Sequence, residues 1–125
     1  MTSLALKRKL CEEVHEHWMH LLLLAYSREI TLDDLSGKNC PLCKHMDRCW
    51  KCPVVLLGGD KLCTHTPYVW VRLLVIRLRV VGSSCPSYGK LSDDRCWQLL
   101  TWHIRSEMKF LEKVSDEWTT TWKHL

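Results

Sequence analysis

One apolar face runs down the C-terminal third of the sequence, and it constrains the fold more than any other feature. Ser92 precedes this face as an N-cap, and Asp93 and Asp94 place acidic groups at the positive end of a helix dipole. The members of the face recur every three or four residues, as on one side of an α-helix, and they are Trp97, Leu100, Ile104, Met108, Leu111, Val114, Trp118 and Trp122. The spacing predicts a long helix over residues 92–118.

Residues 3–27 repeat this spacing and predict an N-terminal helix. Its apolar face is formed by Leu10, Val14, Trp18, Leu21 and Ala25. Leu22, Leu23 and Leu24 are expected to widen the face near its end. Thr31 and Asp34 then have the spacing of a capping box with a shorter acid, which predicts a brief helical turn over residues 32–35.

Residues 66–81 are consistent with two structures. Thr66 and Pro67 supply an N-cap and a proline at the first helical position, which favours a helix. The competing interpretation is a strand, because β-branched side chains fit a pleated surface well, and six occur here: Val69, Val71, Val75, Ile76, Val80 and Val81. We favour the helix. The 125 residues suffice for one domain, so the sequence predicts a single mainly α domain over residues 1–125, with a cysteine-rich metal knuckle inserted at residues 38–65.

Two C-x2-C units stand close together in that insert. Cys40 pairs with Cys43, Cys49 pairs with Cys52, and Cys63 follows. Two residues between thiolates allow a tight turn to direct both sulfurs at one ion, and four sulfurs complete the tetrahedral coordination of zinc. The chain has eight cysteines and no secretory signal, a combination typical of a reducing compartment in which thiols bind metal. The spacing therefore predicts one structural zinc ion.

The choice of four donors is open. The two C-x2-C units are the first choice, and Cys63, His45 or His65 is the alternative to Cys49 or Cys52. Four thiolates also hold iron–sulfur clusters, and the proline after Cys52 resembles the end of a bacterial ferredoxin run, although the spacing departs from that pattern. Zinc is the expected cofactor and an iron–sulfur cluster the alternative.

The sequence contains no set of residues that predicts catalysis. Phosphate-binding glycine loops, nucleophile elbows and H-E-x-x-H motifs are absent. The isolated Cys11, Cys85 and Cys96 are interpreted as small packing residues. The expectation is a protein that is not an enzyme.

Tryptophan and arginine point instead to a binding surface. The chain has seven Trp but one Phe and a net charge of +4, and exposed Trp beside Arg is typical of interface hot spots. The candidate partner-binding residues are Arg48, Trp50, Trp70, Arg72, Arg77 and Arg79. An equally weighted interpretation packs Trp70 against the long C-terminal helix. Basic residues around Trp50 also permit nucleic-acid binding through phosphate contacts and base stacking.

Neither long apolar run predicts a membrane span. Residues 18–26 are too few to cross a bilayer, and residues 68–81 contain three arginines. We expect no membrane partner.

The order of the motifs resembles a family of small proteins encoded in bacteriophages and prophages. The shared series is His15-x-His17-Trp18, Cys40-Pro-Leu-Cys43, Cys49-x-x-Cys52-Pro53, Cys63-x-x-Thr66-Pro67-Tyr68 and Glu107-Met108-x-x-Leu111. The resemblance covers most of the chain and departs from the family at residues 69–91, which are rich in Val and Arg.

This resemblance implies a viral accessory protein in the cytoplasm of a bacterial host. Phages use many proteins of this size to bind and disable host proteins or protein complexes, so the leading hypothesis is a stoichiometric inhibitor, as anti-CRISPR proteins are. The alternative is a zinc-knuckle protein that binds nucleic acid or regulates its use. An iron–sulfur or thiol redox protein ranks third.

Overall fold

The computed structural model describes residues 3–35, 40, 68–81 and 92–120. These residues form three α-helices, Leu4–Tyr26 (α1), Tyr68–Ile76 (α2) and Asp93–Thr120 (α3), and no strand. A 3-10 turn at Asp33–Leu35 follows α1, and a π-helical turn at Arg77–Val81 extends α2. The predicted mainly α domain, with N-terminal, central and long C-terminal helices, is confirmed for this part of the chain. The predicted knuckle, apart from Cys40, lies outside the described residues.

The long helix α3 packs against both of the other helices. It contains 28 residues, which corresponds to a length of about 42 Å. Lys7 Nζ donates to the carbonyl oxygen of Trp118 at 3.3 Å, so α1 runs antiparallel to α3. The Trp18 ring meets the Tyr68 ring edge to face, with centroids 5.8 Å apart, and this contact joins α1 to α2.

Polar side chains cap two helices and one turn, as the sequence predicts at Ser92 and at Thr31 with Asp34. Ser3 Oγ accepts from Leu6 N at 3.1 Å at the start of α1, and Ser92 Oγ accepts from Arg95 N at 3.1 Å at the start of α3. The carboxylate of Asp34 accepts from Thr31 N at 2.8 Å and from Thr31 Oγ1 at 3.0 Å. The predicted capping box is confirmed, and the turn that it opens is a 3-10 turn.

The core is built from the predicted apolar faces. All five predicted members of the α1 face are buried. On α3, Leu100, Ile104, Leu111, Val114 and Trp118 are buried, while Trp97 and Met108 are half-buried at the edge of the core. The expectation that Leu23 widens the α1 face is wrong, because this side chain is 61% exposed. It lies on the opposite side of the helix from the core.

The central segment is helical because its core contacts follow the helical period. Val71, Leu74 and Val75 are buried, and Leu78 packs against the same core. These positions lie three and four residues apart, so burial of one helical stripe outweighs the strand preference of the β-branched side chains. Thr66 and Pro67, the predicted N-cap and first position, lie outside the described residues. Among the described helices, none combines the length and apolar character needed to cross a bilayer.

Candidate partner-binding surface

Only one of the predicted zinc ligands belongs to the described residues. Cys40 is half-buried and packs against the hydrophobic core. The other predicted donors lie outside the described residues: Cys43, Cys49, Cys52, Cys63 and the alternatives His45 and His65. Within the described ranges, no three metal-binding side chains come together. Zinc binding therefore stays a prediction.

Cys11 has the environment of an unreactive thiol. Burial raises its pKa, and the nearby carboxylates of Asp116 and Glu12 raise it further, while a hydrogen bond with Ser115 acts in the opposite direction. A raised pKa keeps the sulfur protonated at neutral pH, and the thiolate is the nucleophilic form. Cys11 lines a groove of about 450 Å³ between α1 and α3, and the acidic residues on this groove are Glu12, Glu16 and Glu112.

The predicted partner-binding residues divide into three groups. Arg48 and Trp50 lie outside the described residues. Trp70 and Arg72 are exposed on α2. Trp70 also stacks on His103 of α3, with ring centroids 5.9 Å apart, so it combines the predicted exposure with contact to the long helix.

Arg77 and Arg79 form the third group and stabilise a junction between chain segments. Arg77 is only 2% exposed, and its Nη1 donates to Asp93 Oδ1 at 2.7 Å. Arg79 Nε donates to the carbonyl oxygen of Ile30 at 3.0 Å, and Arg79 Nη2 donates to that of Arg28. Burial removes the Arg77 guanidinium from the predicted surface, and the bonds of Arg79 direct its guanidinium to the backbone that follows α1.

Arg28 completes this junction from the other side. It follows α1 with a φ of 59°, and Arg28 N donates to Ala25 O while Glu29 N donates to Leu24 O. This is the bond pattern of a Schellman motif, with arginine at the position where glycine is most favourable. The Arg28 side chain pairs with Asp94 at 2.8 Å. We call the set Arg28, Arg77, Arg79, Asp93, Asp94 and Trp97 the arginine junction.

A second cluster of aromatic and basic residues faces outward. Six large hydrophobic side chains are exposed in the described residues, and we call these, with His103, the aromatic band: Met19, Leu23, Tyr26, Trp70, Leu73, His103 and Trp102. The His103 ring stacks on Trp70 and meets Trp102 edge to face, with centroids 4.8 Å apart. Trp102 and Tyr26 line one groove. The remaining members follow at helical spacings of three or four residues, so the band crosses all three helices.

The groove within the band is both aromatic and basic. It has a volume of about 580 Å³ and is lined by Tyr26, Arg95, Gln98, Leu99, Thr101, Trp102 and Arg105. Trp102 is 59% exposed and Tyr26 is 56% exposed. The Arg105 guanidinium lies over the Tyr26 ring, 5.9 Å from its centroid. Arg95 Nη1 donates to Gln98 Oε1 at 3.3 Å. No carboxylate of the described residues pairs with either arginine.

His103 is the titratable group at the centre of the band. Partial burial lowers the pKa of its imidazole. A lowered pKa favours the neutral ring at neutral pH, and a neutral ring stacks on Trp70 and contacts the edge of Trp102 without the cost of burying a charge. The centre of the band is therefore uncharged, and the two groove arginines lie to one side of it.

The sequence indicated Trp70 but missed Trp102, Tyr26, Arg95 and Arg105. Trp102 could have been found, because it is a large apolar residue on a helix whose apolar face excludes it. A tryptophan outside the buried stripe of a strongly amphipathic helix must be exposed or covered by another segment. Tyr26 and the two arginines carry no such signal, since their grouping depends on how α1 crosses α3.

No protein-family model, curated protein or solved structure matches this chain.

Proposed function

We propose that the protein acts by stoichiometric binding to another protein, and that the aromatic band is the surface that binds. In this proposal it is a phage-type accessory protein that inhibits a protein or defence complex of a bacterial host. The single observation that supports the proposal is the placement of the exposed apolar residues. Exposed residues of all three helices come together: His103 contacts both Trp70 and Trp102, and Trp102 lines one groove with Tyr26.

The grouping matters more than the number. Single exposed hydrophobic residues are normal on a protein surface, whereas contiguous apolar patches mark interaction sites. Trp, Tyr and Arg dominate the hot spots of protein interfaces. The band contains two exposed Trp and an exposed Tyr, and Arg105 lies over that Tyr.

The test is to identify the partner and then to measure how a substitution in the aromatic band changes its binding. The immobilised protein would be incubated with bacterial lysate, the captured protein identified and purified, and the stoichiometry and Kd measured by calorimetry. We expect one partner per chain and a Kd raised about thirty-fold or more by Trp102→Ala, since hot-spot truncations cost ~2 kcal/mol or more.

The matched control is Lys113→Ala, an exposed position on the same helix outside the band. It should leave the Kd unchanged. The proposal fails if the purified protein converts a substrate at substoichiometric amounts, or if the band variants bind the partner as tightly as the wild type.

We further propose that one structural zinc ion is bound within residues 38–65. The spacing of the two C-x2-C units supports it, and Cys40 would join the ion to the core against which it packs. A structural zinc contributes its binding energy to folding. We therefore expect elemental analysis to give about one zinc per chain, and Cys40→Ser to destabilise the protein far more than Cys11→Ser.

Cys11 is a better control than Cys96. Cys96 is fully buried in the core, so a serine there would place a polar hydroxyl among apolar groups. If the purified protein instead contains stoichiometric iron and absorbs in the visible range, the cofactor is an iron–sulfur cluster and the zinc proposal fails. The alternative function, nucleic-acid binding by a basic knuckle, rests on residues around Trp50, which lie outside the described part of the chain.

A further inference from the structure

We infer that the groove lined by Tyr26, Trp102, Arg95 and Arg105 binds an extended acidic segment of the partner, with the pattern acid–x–apolar–x–acid. The inference rests on the proposed function, because it names the chemistry that the partner presents to one part of the aromatic band.

The charge of the groove is unmatched within the described residues. Within the described residues the Arg95 guanidinium donates to the neutral Gln98, and the Arg105 guanidinium lies over the Tyr26 ring. A guanidinium carries five N–H donors in one plane, and a ring below that plane leaves the N–H edges able to bind a carboxylate. The lining contains no acidic residue. An acidic ligand complements this site.

The spacing of the two arginines sets the length of the ligand. Arg95 and Arg105 are ten residues apart on α3, which separates their Cα atoms by about 15 Å along the helix axis. Leu99 and Trp102 lie between them on the same face. In an extended chain, residues i, i+2 and i+4 point to one side and i to i+4 spans about 13 Å. Two acids at i and i+4 therefore reach both arginines, and an apolar residue at i+2 meets Trp102.

The same spacing disfavours a nucleic acid. A single strand carries a negative charge at every nucleotide, so phosphates would lie between the two arginines. The groove residues there, Gln98, Leu99, Thr101 and Trp102, supply no cation. A peptide that has its charges only at the two ends matches the lining, because its middle residue is apolar.

The experiment uses the full-length protein and two synthetic peptides with capped ends. The first contains Asp-Ser-Phe-Ser-Asp, and the second, Asn-Ser-Phe-Ser-Asn, removes only the charges. Binding is followed through the indole N–H resonance of Trp102 in isotope-labelled protein, assigned with Trp102→Phe. We expect the diacidic peptide to shift this resonance saturably and to bind about tenfold more tightly than the diamide peptide, as expected when two half-exposed charge pairs are removed.

The matched variants are two double substitutions with the same loss of charge. Arg95→Gln with Arg105→Gln should abolish the tenfold preference for the diacidic peptide. Arg8→Gln with Lys9→Gln, at exposed positions near the start of α1, should leave it intact. Equal binding of the two peptides, or no shift with either, overturns the inference.

Two other occupants give distinct outcomes. A single-stranded oligonucleotide that shifts the Trp102 resonance at lower concentration than the diacidic peptide assigns the groove to nucleic acid and overturns the inference. Self-association that is lost in the Arg95→Gln/Arg105→Gln variant assigns it to the acidic groove of a second copy and also overturns it. If a captured partner binds this variant as tightly as the wild type, the proposed function stands and the inference fails.

Discussion

The arginine junction and the aromatic groove contain the same residue types and use them in opposite ways. In the junction, Trp97 lies beneath the guanidinium groups of Arg28 and Arg79, at 5.9 and 5.3 Å from the ring centroid. Arg28 also pairs with the carboxylate of Asp94, and Arg79 also donates to a backbone carbonyl. In the groove, Trp102 lies beside two arginines for which no described carboxylate is available. Arginine next to tryptophan therefore indicates an interface only where acceptors are missing.

Arg77 should show the largest effect of any residue in this comparison. It is almost fully buried and bonds to Asp93, so Arg77→Ala leaves a cavity and removes the guanidinium that pairs with that carboxylate. Because Asp93 is 61% exposed and stays hydrated, the loss comes mainly from the packing of the buried arginine, and we expect the free energy of unfolding to fall by about 2–3 kcal/mol. Chemical denaturation measures it, with Arg72→Ala, an exposed site on the preceding helix, as the control. Equal midpoints for the two variants would mean that the junction does not stabilise the fold.

Arg79 and Arg95 allow the same conservative change in both regions. Arg79→Lys keeps the charge but loses the planar fork that reaches two backbone carbonyls, and we expect a loss of about 1–2 kcal/mol. Arg95→Lys should change the free energy of unfolding by less than about 0.5 kcal/mol, because the exposed Arg95 side chain makes few contacts that stabilise the fold. Thermal unfolding of both variants makes the comparison. If Arg95→Lys lowers stability more than Arg79→Lys does, then the groove, and not the junction, stabilises the fold.

Arg28 tests the backbone of the junction separately from its side chain. Arg28→Ala and Arg28→Gly both remove the pair with Asp94, and they differ in how well the new residue tolerates a φ of 59°. We expect the glycine variant to be more stable than the alanine variant by about 1 kcal/mol. Urea titrations of the pair give the difference directly. Equal stability would indicate that the chain after α1 relaxes to a negative φ once the arginine is removed.

His103 should produce the smallest effect, seen only as a pH dependence. Burial lowers its pKa in the folded protein, so the unfolded chain binds its proton at a higher pH than the folded one. The stability that a neutral His103 contributes is therefore complete above the unfolded pKa of about 6.5 and is lost as the pH falls toward the folded pKa. His103→Gln should flatten the slope of stability against pH below neutrality. The control, His20→Gln on the exposed side of α1, should retain the slope.

Helical period and capping residues predicted most of the fold. The core stripes of α1 and α3, the cap at Ser92, and the bond between Thr31 and Asp34 all depend on residues close together in sequence. The helical state of α2 is less evident from its sequence, because β-branched residues favour strands locally and only the spacing of Val71, Leu74 and Val75 indicates the buried helical stripe.

The candidate site was less predictable because it depends on contacts between distant residues. Trp70 was expected at a surface, and its partner His103 lies on another helix. Arg77 and Arg79 were expected at the same surface, but Asp93 and the carbonyl groups after α1 are placed next to them by the packing of α2 and α1 on α3. Sequence proximity gave no means of separating these arginines from Arg105.

The order of the helices along the chain has a consequence for how the protein folds. The contact between Arg77 and Asp93 closes a loop of 16 residues, whereas the contact between Lys7 and Trp118 spans 111 residues. In the loop-closure relation, bringing the ends of the longer segment together costs about 1.7 kcal/mol more in chain entropy. We therefore expect α2 and α3 to associate first and α1 to dock last, onto a helix pair that is already formed. Substitutions on the α1 side of the core should then speed unfolding more than they slow folding.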